Sequence, residues 1–336
     1  MKKLLIAGPV ILLCMTLCAC SGTDGRRQAV AKNQLPEAPT TPQQTGIADT
    51  GLQLLINEYY HCKTISDSLV ITGNVNKNSI LKRQRAFYDS ALASIHSLMI
   101  KCATGINGSC NISVRGIRYN VFATSTKESN ISLHLYNDGH QHFISMGAVK
   151  KYMEAKGLVP LMITNAGIYD QKNDPIGLYI ENGEKYHRLN MRKVPDGGNF
   201  YMLPNGVFYI DANDHAHIDT TEAYAHMEQK KSDGVKLATQ SGPMLVINNR
   251  INSGFKQGSA NINIRSGAGV IDEHKVVFAI STDPCNFYDF AVLFHDVFGC
   301  DNALYFDGAI SRMYLHDINH DDTGGNFGGM IVVTGK

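Results

Sequence analysis

From Asn111 onward the chain is a series of short apolar or alternating runs, each closed by a Gly, Asn or Pro corner. "ISVRGIRYNVFATS" and "NISLHLYND" alternate apolar and polar residues, and Asn137-Asp138-Gly139 reads as a turn. "GLYIENGEKY" places Asn182-Gly183 between two strand-like runs, the signal of a tight hairpin. "NFYMLPNGVFYI", "GPMLVINNRIN" and "AGVIDEHKVVFAIS" repeat the form, while "LVPLMITNAG", "ALYFDG" and "GGMIVVTG" read as buried strands. Helical spacing interrupts them in "MGAVKKYMEAKG", which stops at Gly157, and in "NFYDFAVLFHDVFG". Runs this short hold together only by pairing with one another. The expectation is an α+β fold: a large, mostly antiparallel or mixed sheet with flanking helices.

A small helical extension precedes it. "LQLLINEYY" and "NSILKRQRAFYDSALASIHSLMIKC" carry apolar residues near a 3.6-residue repeat, with Asn78 or Ser79 as the N-cap of the second. The first twenty residues have another character. Lys2 and Lys3 precede an apolar stretch from Leu4 to Leu17, followed by "LCAC", the order of a secretory leader too short for a comfortable membrane span. Residues 21–46 are rich in Pro, Thr, Gln and Gly and cannot offset their ordering entropy. The expected organisation is a leader over 1–19, a flexible tether over 20–50, a helical extension over 51–110 and one main domain over 111–336.

A net charge of +1 supplies no basic field and argues against a nucleic-acid partner. Beyond Cys20 stand Cys62, Cys102, Cys110, Cys285 and Cys300. In an oxidising compartment Cys102 and Cys110 would close a short loop, Cys62 competes for either, and Cys285 and Cys300 flank a helix across which they would meet. Cys300 lies in an apolar stretch with no base beside it, which argues against a nucleophile.

Polar residues cluster where the apolar runs end. Asn165 and Asp170 follow "LMIT", and Asn199 and Asn205 bracket the Phe-Tyr segment. Gln240, Ser241 and Gly242 precede "MLVI"; Arg265 and Ser266 open "RSGAG". Asn286 follows "FAIS", and Asp307, Gly308 and Ser311 follow "ALYF". Strand ends converging on one rim would make a polar pocket with one cation and a few carboxylates. Taken alone, Asp307-Gly308 reads as a turn, and Arg265 as a structural ion-pair partner.

Together, "NAGIYD", "GNFYMLPNGVFYI", "ATQSGPMLVIN", "IRSGAGV", "FAIS", "NFYDFAVLF", "GCDNALYFDGAIS" and "GGMIVV" resemble the phosphodiester glycosidase domain, in order and spacing, over about Ser113 to Val333. That domain is similar to the catalytic part of the mannose 6-phosphate uncovering enzyme; the helical extension lies outside the resemblance. The resemblance implies a hydrolase that cleaves the C1–O bond of a sugar-1-phosphodiester, such as an N-acetylglucosamine-1-phosphodiester, to free sugar and phosphomonoester. It implies Asp307, Asp170 and Arg265 as catalytic residues, with Asp307 stabilising oxocarbenium character or activating water and Arg265 clamping phosphate. Asn165, Asn199, Asn205, Gln240, Ser241, Gly242, Ser266, Asn286, Gly308 and Ser311 are the implied substrate-binding set. Arg-Ser-Gly-Ala-Gly stands where the bacterial pattern more often has Arg-Asn-Gly-Val-Gly, and Phe306 where Leu is commoner.

"LCAC" resembles a bacterial lipobox, which makes Cys20 the lipidation site and the membrane a partner through an N-terminal anchor. The expected place is the bacterial cell envelope, on the periplasmic or outer surface. The histidines of "LFHDVFG", "YLHDINHDD" and "ANDHAHID" match no standard zinc spacing, and His316, Asp317, His320, Asp321 and Asp322 read as a solvated loop. No cofactor is called for, though a divalent cation near Asp170 or Asp307 is admissible. Two alternatives stay open: a non-catalytic glycan-phosphate binding lipoprotein, and a phosphodiesterase that cuts the P–O bond, against which the lack of a two-metal His and Asp set argues.

Overall fold

A computed structural model describes residues 47–71, 78–104, 108–194, 197–230, 234–308 and 310–336. The leader, Cys20 and the tether up to residue 46 lie outside the described residues, as does the side chain of Cys102. The described residues fall into two compact units, divided between Ser97 and Leu98.

The first unit carries helix α1 (Ile47–Ile71) and most of α2 (Asn78–Thr104). α1 buries Leu52, Ile56, Tyr59 and Cys62, a stripe at helical spacing. The Ser66 hydroxyl donates to Asp89 at 2.9 Å, and Asp89 also pairs with Arg85 one turn away.

Among the described residues, the second unit is built from sixteen strands. In chain order these are β1 (Gly108–Val114), β2 (Ile117–Ser125), β3 (Ser129–His134), β4 (Pro160–Asn165), β5 (Tyr179–Glu181) and β6 (Glu184–His187). Then come β7 (Gly206–Asp211), β8 (Ala216–Thr220), β9 (Val235–Ser241), β10 (Met244–Val246), β11 (Ser266–Val270) and β12 (Lys275–Ser281). β13 (Asn302–Asp307), β14 (Met313–Leu315), β15 (His320–Asp321) and β16 (Met330–Gly335) complete the set. Instead of one large sheet they make three antiparallel ones, ordered β1-β2-β12-β11-β13-β10, β15-β14-β4-β16-β3 and β6-β5-β9-β7-β8.

All three sheets turn one face to a common core, where Phe122, Phe278 and Phe306 of the first meet Met162 and Ile331 of the second and Phe208 and Ile210 of the third. Because side chains alternate along a strand, the intervening residues face outward and each sheet needs a cover. Helix α3 (Met146–Ala155) supplies Met146, Val149 and Met153 against Ile163 and Val332. Helix α4 (Thr221–Lys230) brings Tyr224 and Met227 over Val207 and Tyr209. Helix α5 (Phe287–Val292), continued as a π-helical turn over Leu293–Val297, sets Phe290 beside Tyr119 on the first sheet. The α+β class holds.

Three local expectations change. "NFYML" is not a strand: Gly198, at φ 84°, leads into a 3-10 turn over Asn199–Tyr201 that buries Phe200. Helix α4 was not anticipated, because its polar sequence shows little apolar periodicity. Cys285 and Cys300 are separate buried thiols, not a bridge; burial raises both thiol pKa values, that of Cys285 to about 11.

Candidate active site

One rim of the second unit is where the three sheets meet. Register places Ser266, the first residue of β11, opposite Asp307, the last of β13. Asn165 ends β4, and Ser241 ends β9 opposite Gly206. Side chains tie these ends together across sheets. Asn165 Nδ2 donates to Ser266 Oγ at 3.1 Å, and Ser241 Oγ donates to the Phe306 carbonyl at 2.8 Å. The Gly167 N–H reaches Thr239 Oγ1 at 3.1 Å. Strand ends fixed this way hold their side chains far more tightly than free loops would.

Asp307 is half-buried at this rim. Its Oδ1 accepts the Gly308 N–H at 2.7 Å, and among the described residues no other hydrogen bond and no cation meets the carboxylate. Burial therefore raises its pKa above the ordinary carboxylate value, opposed only by the Gly308 bond. Its charge is felt by two phenols. Tyr169 is pushed up to about 12 by burial and then by Asp307, and Tyr305 is raised for the same two reasons. The Tyr305 hydroxyl accepts from Asn199 Nδ2 at 3.3 Å and lies within reach of the Arg265 guanidinium. Gly308 makes room for it: a Cβ there would stand 2.6 Å from the hydroxyl. The Ser311 N–H donates to the Gly308 carbonyl at 2.7 Å, and its hydroxyl shares a 2.8 Å hydrogen bond with Ser266. The Arg312 N–H caps Asn165 Oδ1 at 3.3 Å.

Asp307, Gly308, Ser266, Ser311, Asn165 and Asn199 thus come together, and others in the expected set are otherwise occupied. Arg265 is not an open phosphate clamp. Fully buried over the Phe287 ring at 3.6 Å, it spends Nε on the Cys285 carbonyl at 2.8 Å and Nη2 on the Asn261 carbonyl at 2.9 Å. It positions Tyr305 and the loop beneath it. Asp170 is exposed and builds a turn, accepting the N–H groups of Lys172 at 2.8 Å and Asp174 at 3.1 Å.

Gln240 is buried with its amide filled, accepting from the Leu178 and Asn190 N–H groups and donating to the Asn190 carbonyl and to Thr221. Asn205 donates to the Phe200 carbonyl and accepts from the Thr221 hydroxyl at 2.8 Å. Gly242 lies against that corner, where a Cβ would meet Asn205 Cβ at 2.6 Å. Asn286 is the N-cap of α5, accepting the Asp289 N–H at 2.9 Å. Gln240, Asn205 and Asn286 thus spend their side chains on the backbone and on neighbouring side chains.

The rim also holds two tyrosines outside the expected site set, Tyr305 and Tyr169. Tyr305 is two residues from Asp307 on β13, but the strand bulges between them, Gly267 pairing with Tyr305 and Ser266 with Asp307, so alternation alone does not set them on one face; Phe306 points into the core. Tyr169 belongs to the polar cluster that follows "LMIT" in the sequence. Its hydroxyl donates to the Asn326 carbonyl, and it joins Asp307 only through the fold.

The sequence profile of the phosphodiester glycosidase family matches residues 160–334, about half of the chain. The match begins with β4 and ends in β16, so it contains the whole rim but not β1–β3, which pair into the first two sheets. The chain is also 32% identical over 206 residues to the uncharacterized protein YigE of Escherichia coli (strain K12), a stretch covering 61% of this chain and 78% of the relative.

Proposed function

From the premise that this chain belongs to the phosphodiester glycosidase family and is a glycosidase-type hydrolase of phosphodiesters, we propose that Asp307 drives hydrolysis of a sugar-1-phosphodiester at the sugar's C1–O bond. The observation that carries this is the Asp307 carboxylate, half-buried at the meeting point of three sheets with a single backbone hydrogen bond and raised in pKa. Such a group is a stronger base than a solvated carboxylate.

In the reaction, water attacks C1 as the C1–O bond to phosphorus-bound oxygen breaks. The bonding pair leaves with that oxygen, giving a phosphomonoester, and the water proton passes to Asp307. A phosphomonoester is a good leaving group, so protonation of the leaving oxygen matters less than in ordinary glycosidases. One rim carboxylate then suffices, and Asp170 is free to build its turn. The Tyr169 and Tyr305 hydroxyls, Asn199 and Ser311 offer donors and acceptors around it. The substrate class is the N-acetylglucosamine-1-phosphodiester type. "LCAC" at 17–20 supports placing the enzyme in the bacterial envelope on a lipid at Cys20, with envelope glycan-phosphates as substrates.

The test follows two products from a methyl diester of N-acetylglucosamine-1-phosphate, with wild type and Asp307→Asn in parallel. Free sugar plus methyl phosphate from wild type, reduced about a thousandfold in the variant, is the expected result. Sugar-1-phosphate plus methanol would place the cut at P–O and overturn the reading. Saturable binding without product in both proteins would make the chain a glycan-phosphate binding protein instead.

A further inference from the structure

At the end of the strands remote from Asp307 lies a second cluster, drawn from two hairpins. β7 ends at Asp211, the chain turns, and β8 follows, so that His215 and His217, two residues apart on one extended segment, lie on one face. Asp211 Oδ2 stands 3.6 Å from His215 Nδ1 and 3.2 Å from His217 Nε2. All three donor atoms lie within 4.8 Å of one another. The β11–β12 turn docks against this hairpin, the Ala216 N–H donating to the Glu273 carbonyl at 2.8 Å. That docking brings His274 to the cluster, its ring centroid 5.0 Å from that of His215. His274 forms a second donor group with His215 and Glu273, again within 4.8 Å.

We propose that Asp211, His215 and His217, closed by His274, bind a divalent transition-metal ion of the zinc class that clips the two hairpins together. Zinc bonds of about 2.0–2.1 Å in a tetrahedron require donors about 3.3 Å apart, and the two Asp211 distances bracket that value. Imidazoles with one carboxylate suit this ion, whereas calcium and magnesium want oxygen donors. The supports are in place as well. Thr126 Oγ1 lies 3.0 Å from His274 Nδ1, which turns Nε2, 3.6 Å from Glu273 Oε1, to the ion, and the His217 ring stacks on Tyr209 at 4.7 Å. Asp211 Oδ1 accepts the Asn213 and His215 N–H groups, which fixes its other oxygen toward the ligands.

Because Val270 pairs with Asn302 while Ser266 pairs with Asp307, the ion sits about four residues of strand, about 13 Å, or more from the catalytic carboxylate. Its role is structural. Sequence spacing could not reveal it, since His274 comes from a different hairpin than Asp211, His215 and His217.

The test strips the full chain with a chelator and titrates zinc by calorimetry, beside His217→Ala, His274→Ala and, as a control on the other histidine-rich loop, His320→Ala. The expected result is one equivalent bound by wild type and by the control, with affinity at least about tenfold lower in each of the other two. Failure of wild type to take up one equivalent, or wild-type affinity in either cluster variant, overturns the proposal. Since His217→Ala could compromise folding, cobalt(II) in the wild-type protein gives an independent readout. Intense tetrahedral absorption without a thiolate charge-transfer band supports the site; a weak octahedral spectrum, or a thiolate band, sinks it.

Discussion

Asp307 ends β13 of the first sheet and Asp211 ends β7 of the third, at opposite rims, and their surroundings make them different acids. Asp211 is nearly inaccessible, yet it is held below the usual carboxylate range: burial pushes it up, but the His215 N–H, the His217 ring and the Asn213 N–H outweigh it. Asp307 is more open by area, yet it has one hydrogen bond and is raised. Accessible area alone therefore does not decide the sign. Depth beneath neighbouring atoms and the supply of donors do so together, and a carboxylate left short of donors at a rim has capacity to spend on a substrate.

The largest expected effect tests the Asp307 side of that contrast. Beyond its thousandfold loss of turnover, Asp307→Asn should melt no lower than wild type at pH 7, because Asn keeps an acceptor for Gly308 and removes a desolvated charge. As general base, Asp307 must be ionised, so kcat/KM should fall as pH drops through a midpoint above the ordinary carboxylate value of about 3.9. A rate that rises with acidity would assign it the opposite proton role. A clear drop in melting temperature would mean that its charge is needed by the fold.

Glu181 sharpens the contrast, being a raised carboxylate away from the rim. It is 8% exposed on β5, accepts the Leu135 N–H at 3.0 Å, and is pushed by burial to about 7. The folded chain holds this proton more tightly than the unfolded chain does. Stability from this group is thus full below about pH 4.5 and declines as pH rises to about 7, by about 2–3 kcal/mol. Glu181→Gln keeps the acceptor and should flatten that slope in urea unfolding at pH 5 and pH 8, with turnover unaffected. An unchanged slope would place the proton elsewhere.

How much of this was legible follows from range. Alternation within "ALYF" fixes which residues share a face up to the bulge before Asp307, and corners such as Asn182-Gly183 fix hairpins, because both are local. The division into three sheets is not local: β2 pairs with β12 and β3 with β16, across most of the domain. Polar residues at strand ends were legible as candidates but not as roles. Gln240 and Asn205 look like sugar ligands in sequence, and only the fold shows their amides filled by loop backbone. The partners of Arg265 were out of reach for the same reason: Nε and Nη2 are met by carbonyls that no sequence pattern announces.

Tyr305 should show a smaller effect. Tyr305→Phe removes the hydroxyl set between Asn199, Arg265 and Asp307, and should lower kcat/KM about tenfold. The buried ring stays, so unfolding free energy should shift by no more than about 1–2 kcal/mol. Full activity would remove Tyr305 from the working rim and leave it as packing for Phe287.

The smallest effect is expected at the opposite rim. Asp211→Asn keeps one carbonyl acceptor for the turn but sets an amide against the His217 ring, costing about 1–2 kcal/mol of stability in chemical unfolding. Turnover should stay within about twofold of wild type, since Asp211 lies about a strand's length from the rim that carries Asp307. Acid should reveal the same residue from the other direction. With a folded pKa below the unfolded one, Asp211 contributes stability that is present above the ordinary carboxylate value and lost as pH falls through the lower one. The Asn variant should therefore converge on wild type at low pH. If it instead lost turnover while keeping its stability, the two rims would be coupled, and the donor supply that separates their carboxylates would no longer explain the division between chemistry and scaffold.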